Sequence, residues 1–228
     1  MKLLKALFLA TAMIAMTTAC NSNDDVIDNG GLYNSLVTYE GTLKSETGDI
    51  QKDVASFTFY TTDLTNPIYY SATGMTRKID AEAGQRMIIS YYLGNGMSYG
   101  QSGQISLYTY RNVPGGPVEI KTAAEAEAAN APMTVTNINR TGNYINLFAR
   151  LMNNPDRTFT MIADETTVGT ATVDLYVTTA TPSTGDTGTI SEQIASFDIT
   201  SIWRNPSTTA IRVHINNTSG QKVFDFTK

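Results

Sequence analysis

From Leu32 onward, apolar and polar side chains alternate with a period of two, the pattern of strands that bury one face and wet the other. In Val37–Leu43 the larger apolar residues fall on the odd positions Val37, Tyr39 and Leu43. Ala55–Tyr60 sets Ala55, Phe57 and Phe59 against Ser56, Thr58 and Tyr60. Ile68–Ser71 follows Pro67, a residue that marks the start of a strand. Arg86–Leu93 (RMIISYYL) is apolar on both faces, as expected of a central or barrel strand. Gln104–Tyr110 (QISLYTY) alternates again, with Ile105 and Leu107 pointing one way and Ser106, Tyr108 and Tyr110 the other.

The segment Val113–Pro117 (VPGGP) punctuates the chain, and Thr122–Asn130 (TAAEAEAAN) predicts a helix that starts at a threonine cap. That helix has no stripe of large apolar side chains, so it reads as a spacer or a lid. A second block opens at Met133, with strands predicted over 134–138, 143–151, 158–163, 172–178, 194–200, 210–216 and 222–227. Thr179–Gly188 is a polar loop between two of them. The whole reads as an all-β chain. Residues 32–121 form a five-stranded OB-like barrel, 122–132 a linker helix, and 133–228 an antiparallel, Ig-like β-sandwich. In such a barrel the loops after the first and fourth strands, Ser45–Asp53 and Gly94–Gly103, frame the ligand face.

Residues 1–19 read as a removable secretory signal. Lys2 and Lys5 precede an uncharged run from Ala6 to Met16, too short for a membrane-spanning helix. The junction Thr17-Thr18-Ala19-Cys20, where the signal ends at Ala19, resembles the lipobox of bacterial lipoproteins, and the resemblance implies that Cys20 is acylated. Two acyl chains suffice for stable membrane anchoring. Residues 20–31 then form the acylated cysteine and a polar tether. Ser22-Asn23-Asp24-Asp25 within it resembles the acidic export signal of Bacteroides-type surface lipoproteins. The expected address is the outer membrane, facing the cell surface, with a periplasm-facing protein as the alternative.

Composition narrows the chemistry. Only 16% of the 228 residues are charged and the net charge is −5, which argues against nucleic acid as a partner. A single cysteine excludes an internal disulfide framework, and a single histidine excludes multi-histidine metal centres. No metal or other cofactor is expected. The lone His214 lies between Val213 and Ile215, on a strand whose odd positions are apolar. It is therefore expected on the surface beside Arg212 and Asn216, solvated and not catalytic. Asp164, Glu165 and Asp198 read as turn and surface residues, which leaves a carboxylate-based envelope hydrolase as a remote alternative to a non-enzymatic protein. Gly94–Gly100 (GNGMSYG) lacks the spacing and the following helix of a dinucleotide loop. Trp203 is either a plug at a sheet corner or an exposed anchor.

Tyrosine is the more telling residue. The chain has 12 tyrosines and one tryptophan, and the tyrosines crowd between residues 60 and 110. Tyr92, Tyr108 and Tyr110 are expected to leave the core together. Their flat faces and hydroxyls suit a glycan or a protein partner. The competing expectation is that the rings cover or seal the barrel.

The layout resembles the NigD-like lipoproteins of Bacteroides-type bacteria. The Cys20 junction with its tether, Gly84-Gln85-Arg86 leading into Met87–Tyr91, and the closing segments Ala195–Ile199 and Ile211–Ile215 carry the resemblance. It implies an acylated N-terminus, an OB-like domain, a short linker and a β-sandwich, and brings no catalytic residue or cofactor. The expected function is a membrane-anchored binding lipoprotein. A structural or assembly subunit of a surface appendage or envelope complex is the alternative.

Overall fold

In the first half of the chain, alternation becomes five strands: β1 (Leu32–Thr47), β2 (Ile50–Phe59), β3 (Ile68–Thr73), β4 (Arg86–Leu93) and β5 (Gly103–Asn112). They close into a barrel in the order β1-β2-β3-β5-β4. Closure depends on β1, which pairs with β4 over Leu32–Thr38 and with β2 over Val37–Thr47. All pairs are antiparallel except β3–β5. Phe57, Tyr70, Met87, Ile89 and Tyr91 fill the interior. The computed structural model describes residues 31–47, 50–61, 66–73, 78–128, 132–154, 157–180 and 188–228. Cys20, the expected signal and the rest of the expected tether before Gly31 lie outside them, as do residues 181–187 of the expected polar loop and the last two residues of the expected helix, Ala129 and Asn130.

Two bulges bend the barrel strands and reverse their alternation, because one extra residue turns every later side chain to the other face. In β1 the register shifts between Tyr39 and Gly41. Val37 and Tyr39 are buried, but Leu43 beyond the bulge is 72% exposed, so the expectation that the odd positions share a face fails there. In β5 the register shifts opposite Ser90 and Tyr91, which pair with Thr109 and Leu107 and leave Tyr108 as the extra residue. The expected loop Ser45–Asp53 is also largely strand, since β1 and β2 stay paired as far as Thr47 and Ile50.

The chain divides into two compact units between Asn112 and Val113. The second contains β6 (Gly115–Pro117), β7 (Glu119–Lys121), helix α1 (Ala123–Ala128), β8 (Thr134–Thr141), β9 (Tyr144–Met152), β10 (Thr158–Asp164), β11 (Thr172–Ala180), β12 (Ile190–Asp198), a short helix α2 (Thr200–Trp203), β13 (Ala210–Asn217) and β14 (Gly220–Thr227). These strands form a five-stranded sheet, β14-β13-β11-β10-β7, and a four-stranded sheet, β6-β12-β9-β8. Ile145, Leu147 and Phe197 from one sheet and Met161, Leu175 and Val213 from the other share a single core.

This unit departs from the expected antiparallel sandwich in three places, for β7–β10, β6–β12 and β11–β13 are parallel pairs. The first two also move the domain boundary. Residues 113–121, assigned to the barrel on sequence, are built into the second unit's sheets. At three residues each, β6 and β7 are too short to show alternation. The glycine at 115 marks close approach rather than a break, because a Cβ there would lie 2.0 Å from the Ser196 carbonyl oxygen. Helix α1 likewise packs on the second unit, with Ala126 buried against Ile162 and Tyr176. Its start is a reciprocal capping box, in which the Thr122 amide donates to Glu125 Oε2 (2.9 Å) and the Glu125 amide to Thr122 Oγ1 (3.2 Å).

Candidate functional site

The β5 bulge decides which tyrosines face water. Tyr108, unpaired at the bulge, is 66% exposed, and Tyr92 on β4 is 41% exposed. Their rings meet edge to face, with centroids 6.4 Å apart and planes at 80°. Tyr110 does not join them. Past the bulge its ring turns inward and packs against the barrel core. Its hydroxyl accepts from the Asp80 amide (2.9 Å) and donates to the Lys78 carbonyl (3.4 Å). The expected row of three is therefore a pair, with the third ring fastening the 78–80 segment to the barrel.

Among the described residues, the outward positions nearest the pair are uncharged, and Arg111 follows two residues beyond Thr109 on the same strand. Ser106 pairs with Tyr92, Thr109 pairs with Ser90, and Gln104 lies two residues before Ser106. The Ser90 hydroxyl donates to Asn34 Oδ1 (2.5 Å), and the Gln104 amide to Thr73 Oγ1 (2.6 Å). The result is an exposed aromatic corner on a sheet face dressed with hydroxyls and amides.

Alternation alone does not reveal a second aromatic group, inside the same barrel. Tyr91 and Tyr70 lie 5.0 Å apart, and Tyr33 follows Tyr91 at 5.9 Å. Tyr99 stacks on Tyr33 at 5.6 Å and meets Phe59 at 6.0 Å, and Phe59 returns to Tyr70 at 6.0 Å. Five rings thus close a circuit. The β4–β5 loop supplies Tyr99, its half-exposed member. That loop is pinned by Met97, whose sulfur would crowd a Cβ at Gly94 or Gly103. Buried hydroxyls run beneath the rings, with Ser35 Oγ 3.0 Å from Tyr91 Oη and Tyr91 donating to Tyr70 Oη (3.1 Å). Desolvation raises the pKa of both Tyr70 and Tyr91 above the ordinary tyrosine value, so both remain protonated donors. Adjacent aromatics in sequence, Tyr69-Tyr70 and Tyr91-Tyr92, were the available signal. In each pair one ring enters the barrel and the other faces out.

In the second unit His214 is not the solvated neighbour of Arg212 that the sequence suggested. Parallel pairing of β11 and β13 sets it beside Tyr176, on which its ring stacks at 4.7 Å. Its Nε2 lies 2.7 Å from Asp174 Oδ1, while Arg212 Nε donates to Asp225 Oδ1 (2.9 Å). Contact across a parallel pair is invisible in a strand read alone. Among the described residues, no group of three or more His, Cys, Asp or Glu is arranged to hold a metal. Asp164 and Asp198 serve turns: Asp164 Oδ1 accepts from the Thr166 amide (3.0 Å) and Asp198 Oδ1 from the Thr200 amide (2.8 Å). Trp203 is a buried plug whose ring is covered by Arg140 at 4.6 Å and Lys228 at 5.5 Å.

No protein-family model and no curated protein matches the sequence. Solved structures do match. A protein of unknown function from Bacteroides vulgatus (DUF1344) superposes with a TM-score of 0.61 at 18% identity, over 86% of this chain and 90% of that one. A NigD-like immunity protein from Bacteroides caccae gives 0.51 at 15% identity, over 85% and 91%. A candidate lipoprotein from Bacteroides fragilis gives 0.53 at 13% identity, over 86% and 97%. Identities this low speak to fold, and the fold spans nearly the whole of each relative. This chain accordingly has the fold of the NigD-like group, as its sequence resemblance implied.

Proposed function

We propose that this chain is a membrane-anchored, non-enzymatic lipoprotein of the outer membrane or cell surface that holds a partner against the outer face of its barrel. The observation that carries the reading is the Tyr92–Tyr108 corner. A bulge aims the Tyr108 ring outward, 66% exposed, against Tyr92 at 41%, so that two exposed rings meet edge to face on one patch of the barrel. The strand order β1-β2-β3-β5-β4 with one parallel pair supports an OB-like barrel, a scaffold that presents ligands on its sheet face and loops. Two sheets around one core support the sandwich reading of the second unit. The Cys20 junction supports anchoring, and the likeness to a candidate lipoprotein is in keeping with it.

Photocrosslinking in living cells tests the site. With a photoreactive benzoylphenylalanine in place of Ser106, between the two rings, the full-length protein is expected to form a discrete adduct on illumination. The adduct should disappear in a Cys20→Ser background that detaches the protein from the membrane. Absence of any adduct from Ser106 would remove the site, and an undiminished one from the Cys20→Ser protein would remove the anchor from the function.

A further inference from the structure

We infer that the ligand of this face is a neutral glycan. The inference rests on reading the Tyr92–Tyr108 corner as the binding site, and it names the chemistry that corner selects. Three features converge. The rings are perpendicular, so one edge supports the other ring and leaves apolar surface to stack on the C–H face of a pyranose. Ser106, Thr109, Gln104 and the Ser90–Asn34 pair surround the rings with groups that both donate and accept, which is what sugar hydroxyls require. None of these residues carries a charge, and the chain as a whole has a net charge of −5.

Charge separates the candidates. An anionic polysaccharide would meet no basic side chain among these residues and would be repelled by the protein's overall field. Protein interfaces concentrate their energy in tryptophan, tyrosine and arginine buried in fitted pockets. Here the described residues nearest the aromatic pair, Ser106, Thr109, Gln104 and the Ser90–Asn34 pair, include no arginine or tryptophan. A neutral sugar needs neither countercharge nor pocket. It needs a flat ring, hydroxyls at the rim, and a backbone that does not move. The closed barrel supplies the last, since β4 and β5 are paired on both sides.

Affinity electrophoresis tests the inference with the detergent-solubilised full chain. Native gels would contain a neutral polysaccharide (dextran, xyloglucan or glucomannan) or an anionic one (alginate or polygalacturonate). Retardation by at least one neutral polymer and by neither anionic polymer is expected. A Tyr92→Ala/Tyr108→Ala double variant, checked for an unchanged thermal melt, should bind about tenfold or more weakly, which corresponds to one good aromatic contact. A Tyr69→Ala control, which removes an exposed ring outside the corner, should bind like the parent. Retardation by the anionic polymers alone, or equal retardation of the double variant, would overturn the inference. No retardation in any gel together with a protein adduct from the Ser106 crosslinker would also overturn it, while leaving the corner as a binding site. Failure of both experiments would remove the site itself.

Discussion

The barrel and the two-sheet unit share one sequence pattern but fill their interiors differently. The barrel encloses rings: Tyr39, Phe57, Phe59, Tyr70 and Tyr91 are all buried there, and the hydroxyls of Tyr70 and Tyr91 are joined inside it. The second unit encloses mainly aliphatic side chains, with Ile145, Leu147, Val173, Leu175 and Val213 at its centre. A closed barrel of few strands must be filled by whatever its strands point inward. Two facing sheets can interdigitate branched side chains across a flat gap. The barrel also has to curve, and it does so with bulges in β1 and β5. The same bulges that let it close move Leu43 and Tyr108 to its outer surface. The bulge in β5 thus creates the exposed aromatic corner, whereas the register shift of the second unit, in β8 between Val135 and Asn137, exposes no ring among the described residues.

The largest effect is expected from emptying the aliphatic core. Phe197 is fully buried among residues of both sheets, and Phe197→Ala should destabilise the second unit by about 3–5 kcal/mol. Amide hydrogen exchange followed residue by residue would show whether the two compact units are energetically separate. Protection should fall across β8–β14 and persist in β1–β5. Equal loss of protection in both would show that the units unfold as one, and the contrast between their interiors would then have no separate thermodynamic meaning.

Alkaline pH should single out the barrel. Desolvation raises the pKa values of Tyr70 and Tyr91, so the folded state holds these protons more tightly than the unfolded state does. The stability they contribute is therefore complete below the unfolded value near 10 and is lost as pH rises above it. For a proton that is released only on unfolding, the loss approaches about 1.4 kcal/mol per pH unit above that value. Denaturant titrations at several pH values between roughly 9.5 and 11.5 would measure the slope. A Tyr70→Phe/Tyr91→Phe variant should be less stable at neutral pH, having lost the buried hydrogen bonds, and its stability should fall less steeply with alkali. An unchanged slope in that variant would show that these hydroxyls do not control the alkaline limit.

How much of this was legible depended on whether a feature is local to one strand. The seven strands β8–β14 follow from alternation and turn residues, and so do the barrel strands β1–β5, apart from the underestimated length of the β1–β2 hairpin and the bounds of β12, expected over 194–200 and found over Ile190–Asp198. The unread parts are relations between strands. The bulge in β5 adds no distinctive residue, yet it sends Tyr110 inward and leaves Tyr108 in water. His214 meets Asp174 and Tyr176 only because β11 and β13 run parallel. The pieces Gly115–Pro117 and Glu119–Lys121 become strands because β12 and β10 offer them edges. The corner Tyr92–Tyr108 was legible as residues but not as geometry.

The smallest expected effect is the most direct test of the bulges. Val37 and Leu43 stand at odd positions of one strand, and simple alternation gives them the same face. Across the bulge at residue 40, Val37 is completely buried and Leu43 is 72% exposed. Val37→Thr, which keeps the shape but places a hydroxyl in the barrel interior, should cost about 1–3 kcal/mol. Leu43→Thr, the same class of change six residues on, should stay within about 0.5 kcal/mol of the parent, as surface substitutions do. Paired chemical denaturation of the two variants decides the point without any ligand. Comparable destabilisation by both would put Leu43 in the core and take the bulge out of β1. With it would go the argument that curvature carries side chains outward, on which the placing of Tyr108 depends. The predicted asymmetry would instead show the strand changing faces within four residues of Tyr39, where the backbone at Gly41 takes a φ of 124° that side chains rarely tolerate.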